Sequence, residues 1–117
     1  GGLFSATADG SATANSSSDG ITWTARTLPS SNSWLSNAYG NGTYVVIANG
    51  STAAATSSDA VTWTARTTTS ASDWWAVTYG NGLFVSIGNT VAQTSPNGVT
   101  WTARTIPSTL WWDIAFG

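Results

Sequence analysis

An all-β fold built from three copies of one unit is what this sequence predicts, and three observations carry the prediction. The hexapeptide Thr22-Trp23-Thr24-Ala25-Arg26-Thr27 recurs unchanged at Thr62 to Thr67 and at Thr100 to Thr105, which sets Trp23, Trp63 and Trp101 40 and then 38 residues apart. Each copy follows a small polar turn (Ser18-Asp19-Gly20, Ser58-Asp59-Ala60, Pro96-Asn97-Gly98) and is followed by an aromatic-Gly pair: Tyr39-Gly40, Tyr79-Gly80, Phe116-Gly117. No stretch shows a useful helical period, while β-branched and aromatic runs bounded by Gly, Asn and Asp turns occur in every copy. The 117 residues therefore divide into repeats of approximately 1–39, 40–79 and 80–117, a single domain-sized segment.

Each repeat reads as four short strands. Leu3 to Thr7, Thr43 to Ala48 and Leu83 to Gly88 form the first series. Ala12 to Ser16, Ala53 to Ser57 and Val91 to Ser95 form the second, and their small side chains suit close packing on both faces. Asp-Gly or Asn-Gly turns, which favour the positive φ of tight hairpins, lead into the hexapeptide strand. Polar loops at Leu28 to Ser33, Thr68 to Asp73 and Ile106 to Thr109 then lead into a fourth series, Trp34 to Tyr39, Trp74 to Tyr79 and Trp111 to Phe116. Gly40-Asn41-Gly42 and Gly80-Asn81-Gly82 turn each unit into the next.

The composition narrows the function classes. Hydrophobic residues make up 41 % and include eight Trp, enough buriable area for a core. Charged residues make up 7 %, against about 25 % in ordinary domains. With three Arg, no Lys and a net charge of −2 there is no basic patch, which argues against nucleic acid and anionic membrane as partners. The absence of Cys removes disulfides and thiolate metal sites. No apolar run reaches the roughly 20 residues of a membrane helix. The opening Gly1-Gly2-Leu3-Phe4 lacks the regions of a signal peptide, which leaves a mature form or fragment as open as a complete product.

Periods near 40 with about four strands point to propeller blades rather than helical solenoids. The turn and its Trp resemble the Asp-box, or BNR-type, repeat of sialidase-like and related bacterial propellers, whose pattern is Ser-x-Asp-x-Gly-x-Thr-Trp. The copies here read Ser16-Ser17-Ser18-Asp19-Gly20-Ile21-Thr22-Trp23, Ser57-Ser58-Asp59-Ala60-Val61-Thr62-Trp63 and Ser95-Pro96-Asn97-Gly98-Val99-Thr100-Trp101. The Asp stands one place late, becomes Asn97 in the third copy, and the Gly is Ala60 in the second. The Tyr-Gly-Asn-Gly turn is similar to that of tandem-repeat bacterial surface propellers, so an extracellular or cell-surface place follows if the chain is natural. The resemblance implies a structural turn between the third and outermost strands, with the box Trp in the blade core and Trp34 to Tyr39 innermost.

Three blades do not close a ring, since propellers typically have 4–8. Left alone they expose a strand edge and an apolar face. The expectation is therefore self-association, in which strand 110–116 of one chain completes the N-terminal blade of a partner. Two chains give six blades and three give nine. In a longer polypeptide the same contacts would be intramolecular. The identical hexapeptides fit recent duplication or deliberate repetition.

Catalysis finds little to work with. The chain holds five Asp (9, 19, 59, 73 and 113), no Glu and no His. Retaining glycosidases generally need two carboxyl groups about 5 Å apart or, in sialidases, a Tyr nucleophile with an acidic partner. The usual general bases and nucleophiles are missing as well. Asp9-Gly10-Ser11 offers one carboxylate where calcium takes six to eight oxygens, so it reads as a turn. The expectation is no enzyme, no cofactor and no metal.

What remains are candidate binding positions, each with a structural alternative. Arg26, Arg66 and Arg104 occupy equivalent places; they either pair with Asp19, Asp59 or a backbone carbonyl to tie strands or blades together, or donate to a ligand's oxygens. Trp34, Trp74 and Trp111 begin the fourth strand, and Trp75 and Trp112 follow directly, with Leu35 in the first such strand. Neighbouring strand residues point to opposite sides, so one of each pair either stacks on a sugar ring or fills the gap between blades. Asp73 and Asp113 either accept sugar hydroxyls or cap the loop. The sequence thus predicts a non-catalytic, self-assembling propeller with multivalent glycan or small-ligand sites, or alternatively a purely structural fragment that reconstitutes a ring.

Overall fold

The computed structural model describes residues 2–117. The chain starts with β1 (Phe4–Thr7) and β2 (Ser11–Ser17), an antiparallel pair in which Phe4 faces Ser17 and Thr7 faces Ala14. A long strand follows, β3 (Thr24–Gly40), then β4 (Thr43–Asn49), β5 (Ser51–Ser57) and β6 (Thr64–Ser72). These six form one sheet in sequence order. A second sheet of four strands contains β7 (Trp74–Gly80), β8 (Leu83–Gly88), β9 (Val91–Ser95) and β10 (Thr102–Arg104), also in sequence order.

The six-stranded sheet changes partner along β3. Thr24 to Thr27 pair with β2, whereas Ser33 to Gly40 pair with β4. Leu28 to Ser33, expected as a loop, is therefore extended, because after a bulge Asn32 pairs again with Ser11. Pro29, which has no N–H to donate, falls in the unpaired stretch between Thr27 and Asn32. Most of Thr68 to Asp73 is likewise strand, with Ser72 pairing to Ser51, and Asp73 separates β6 from β7.

Two further corrections concern strand ends. The hexapeptide strand begins at Thr24, Thr64 and Thr102, after the Trp. Trp111 to Phe116 is not a strand; the one bridge beside it, Asn89 to Leu110, falls on the residue before it. The corresponding segments Trp34 to Tyr39 and Trp74 to Tyr79 pair with the strand that follows them. Among the described residues no strand pairs with Trp111 to Phe116, so its N–H and C=O groups join no ladder here.

The core forms between repeats. Ala14, Leu28, Trp34, Val46, Ala48 and Ala55 make one cluster, with Trp63 packed on it. Val45, Ile47, Trp74, Val77 and Phe84 make the next, with Trp101 and Tyr79 against it. Ala76, Ile87 and Ala92 make a third, covered by Ile106, Trp111 and Ile114. Val45 and Val46 point to opposite faces of β4 and serve different clusters, which is why Tyr44 to Ala48 are all buried.

Candidate functional site

The three turns before the hexapeptides share one hydrogen-bond pattern. Ser17 Oγ donates to Asp19 Oδ1 at 2.9 Å and accepts from the Gly20 N–H at 2.8 Å, while Asp19 Oδ1 accepts from the N–H groups of Ile21 and Thr22, both at 2.8 Å. Ser57 and Asp59 repeat the carboxylate bonds to Val61 and Thr62. Ser95 and Asn97 do so with an amide oxygen, to Val99 and Thr100 at 2.9 and 3.0 Å. Backbone donors hold both carboxyls below the ordinary carboxylate range, chiefly Ile21 for Asp19 and Thr62 for Asp59. The third residue of each turn sits at positive φ: Gly20 at 73°, Ala60 at 56° and Gly98 at 74°.

The arginines tie strands, through a partner other than the two expected. Nε of Arg26 donates to Ser16 Oγ at 2.9 Å, Arg66 to Thr56 Oγ1 at 3.0 Å and Arg104 to Thr94 Oγ1 at 2.9 Å. Each bond crosses to the neighbouring strand, and Asp19 and Asp59 are engaged by their own turns instead. Arg66 also borders a groove of about 320 Å³ lined with Thr56, Ser57, Thr62 and Asn97.

The tryptophans separate by environment. Trp34 and Trp74 are each 1 % exposed, and their Nε1 groups donate to the carbonyls of Ser30 and Ser70 at 3.1 Å. Neither offers a ring face to a sugar, because both fill the space between repeats. Trp111 makes the matching bond to the Pro107 carbonyl and lies half-buried. Trp112 is 62 % exposed and packs on Trp75, ring centroids 4.7 Å apart and tilted by 42°. Trp75 Nε1 donates to Asn89 Oδ1 at 3.0 Å, and Asn89 Nδ2 donates to Asp73 Oδ2 at 3.0 Å. Asp113 accepts from the Ile114 N–H and so acts locally. The box tryptophans, expected in the core, also differ among themselves: Trp63 and Trp101 pack on clusters that include residues of the repeat before their own, whereas Trp23 is exposed.

The aromatic-Gly pairs, read from sequence only as turns, prove to be contacts between repeats. A Cβ added to Gly40 would lie 2.0 Å from Cγ of Tyr79, and one on Gly80 2.0 Å from Cγ of Phe116. The glycine is required because the next repeat's ring lies directly on it. Gly117 has nothing within 4 Å. At the other end Tyr39 is exposed beside a groove of about 400 Å³ lined by Gly2, Leu3, Tyr39 and Tyr44. The recurrence of Tyr-Gly or Phe-Gly in every copy was the available signal for this role.

Among the described residues no group of three or more His, Cys, Asp or Glu side chains could hold a metal ion, and no helix is long and apolar enough to cross a membrane. No protein-family model matches the chain, and neither does any curated relative. Solved structures do match, among them a chain described as YCF48 bound to D1 peptide. That likeness has a TM-score of 0.66 at 19 % identity, covering 82 % of this chain and 35 % of that one. It is a likeness of fold, partial and β-propeller-like, in which this chain spans about a third of the solved one.

Proposed function

We propose that this chain is a non-catalytic β-propeller segment of Asp-box type whose role is assembly: its repeats are blades, and copies associate to close a ring. One observation carries the reading. Phe4, Tyr44 and Phe84 occupy the same place in the three repeats, yet Phe4 is 58 % exposed where Tyr44 is 5 % and Phe84 0 %. A position built for burial lies open at one end of the chain, and a segment with strand pattern lies unpaired at the other. The likeness to about a third of a larger propeller-like chain supports the same reading. The absence of His, Cys, Lys and Glu supports a role without catalysis.

Light scattering on the purified chain tests it. A mass of twice 12.0 kDa is the expected result and corresponds to six blades; three times that mass gives nine and also supports self-association. A stable, folded monomer overturns the reading.

A second reading has its own observation. Trp112 stacked on Trp75, with Asn89 and Asp73 adjoining, joins an exposed aromatic face to polar groups, the pairing that sugar recognition uses. Loss of glycan-array signal in a Trp112→Ala variant would support it; an array without signal for the unaltered chain would end it.

A further inference from the structure

Resting on the self-association reading, we infer that the partner is a second copy of this chain docked head to tail, its residues 110–117 pairing with β1 in a fixed register. The contact between successive repeats is seen twice within the chain, and each end of the molecule carries one unfilled half of it. In the filled version, Gly98 of the third turn packs so closely on Val45 and Thr56 that a Cβ would come 2.4 Å from Val45 Cγ2. Trp101 lies on the same cluster, and the Tyr79 ring covers Gly40.

The equivalents of Gly98, Trp101 and Tyr79 in the first repeat are Gly20, Trp23 and Tyr39, all three exposed. The equivalents of Val45, Thr56 and Gly40 at the far end are Val85, Thr94 and Gly117. Val85 and Thr94 are half-buried where Val45 and Thr56 are buried, and Gly117 is open. The two ends are thus complementary to each other and not to themselves, which makes the interface heterologous. Two such interfaces related by rotation close a ring.

The register follows from the strands already paired. Tyr39 faces Tyr44 and Tyr79 faces Phe84, with ring centroids 4.5 and 4.8 Å apart. Ala38 faces Val45 and Thr78 faces Val85; Gly40 faces Thr43 and Gly80 faces Leu83. The same offsets place Phe116 of one copy opposite Phe4 of the other, Ala115 opposite Ser5, and Gly117 opposite Leu3. Leu3, Tyr39 and Tyr44 line the groove of about 400 Å³. The arriving Gly117 enters this recess and takes over the Leu3 N–H and C=O that the Tyr44 hydroxyl now bonds at 2.9 and 2.7 Å. Its missing side chain leaves room for the Tyr39 ring. Trp111 to Phe116 then gains the backbone ladder it lacks in a single chain, and β1 loses its free edge.

The chain has no Cys, so introduced pairs report without background. Ser5→Cys and Ala115→Cys keep the aromatic contacts, and the Ser5 hydroxyl is buried without a partner, a place a thiol suits. Mixing the two single variants under mild oxidation is expected to give a covalent 5–115 dimer, while Ser5→Cys with Ile114→Cys, whose side chains face opposite sides, gives none. A 5–5 disulfide in the Ser5→Cys variant alone, or a dimer by mass with no 5–115 bond, overturns the register and leaves self-association standing. A monomer by mass removes self-association itself. Gly117→Val supplies a second arm: the monomer's melting temperature at dilution stays unchanged, whereas dimer affinity falls at least tenfold, and an unchanged affinity counts against the proposed seam.

Discussion

Phe84 and Phe4 stand at the same place in their repeats and follow the same Gly-Leu dipeptide. One is wholly buried; the other is mostly in water. Trp101 and Trp23 differ in the same direction, as do Gly98 and Gly20. The residues are matched in chemistry, so the difference comes from the neighbour. In this molecule a repeat does not bury its own apolar face but covers its predecessor's, as stacked repeats do generally. The interior pair of repeats shows what the terminal positions are shaped to receive.

The largest effect expected from this comparison is at the inter-repeat tryptophans. Trp74→Ala removes a side chain buried among Val45, Ile47, Val77 and Phe84 and leaves a cavity, so it should cost about 3–5 kcal/mol. Trp23→Ala, measured by urea unfolding at a concentration where the chain is monomeric, should fall within the roughly ±0.5 kcal/mol of surface substitutions. Raising the concentration sharpens the contrast, since Trp23 gains its cover only when copies associate. Equal costs in the dilute chain would mean that burial by the neighbouring repeat does not decide the energetics.

The next effect lies in the turns. Gly98 and Ala60 both adopt left-handed backbone, but their surroundings differ. Gly98 faces Val45, while the residue equivalent to Val45 in the preceding repeat of Ala60 is the smaller Ser5. Gly98→Ala should therefore cost about 1–2 kcal/mol for the left-handed conformation and about 1–3 kcal/mol more for overpacking against Val45. Ala60→Gly relieves the backbone and gives up one buried methyl, worth about 0.8 kcal/mol, so the two nearly cancel. Thermal unfolding of both variants checks this, and a mild Gly98→Ala would show that the repeat contact is looser than its geometry implies.

How much of this was legible beforehand follows from the same dependence on neighbours. Strand series one and two could be read from β-branched runs and turn residues because those signals are local. Leu28 to Ser33 could not, since its polar residues and Pro29 look like loop until Asn32 finds Ser11 beyond a bulge. Trp111 to Phe116 has the pattern of its equivalents and is not a strand, because a strand needs a partner as well as a pattern. Among the site residues, equivalence of the arginines left a strand tie open beside ligand binding and gave no sign of Ser16, Thr56 and Thr94 as acceptors. Trp34 and Trp74 were legible as a repeated position, with gap-filling and sugar stacking both open, because the side chains that bury them come from other strands. Trp112 on Trp75 joins two repeats, and no single-repeat reading contains it.

The smallest effect separates the third turn from the first two. Asp19 and Asp59 have folded-state pKa values below the ordinary 3.8, so their turns stabilise the fold at pH above that value. That contribution is lost as the pH falls through the lowered folded values. Asn97 makes the same two backbone bonds without a charge, so the third turn has no such dependence. The double variant Asp19→Asn, Asp59→Asn should flatten the acid limb of stability below pH 4 while leaving the fold intact at pH 7. Hydrogen exchange can follow the Ile21, Thr22, Val61 and Thr62 amides against Val99 and Thr100 on lowering the pH. The first four should lose protection earlier. If all six respond together, acid acts on the sheets as a whole, and the turns do not open individually.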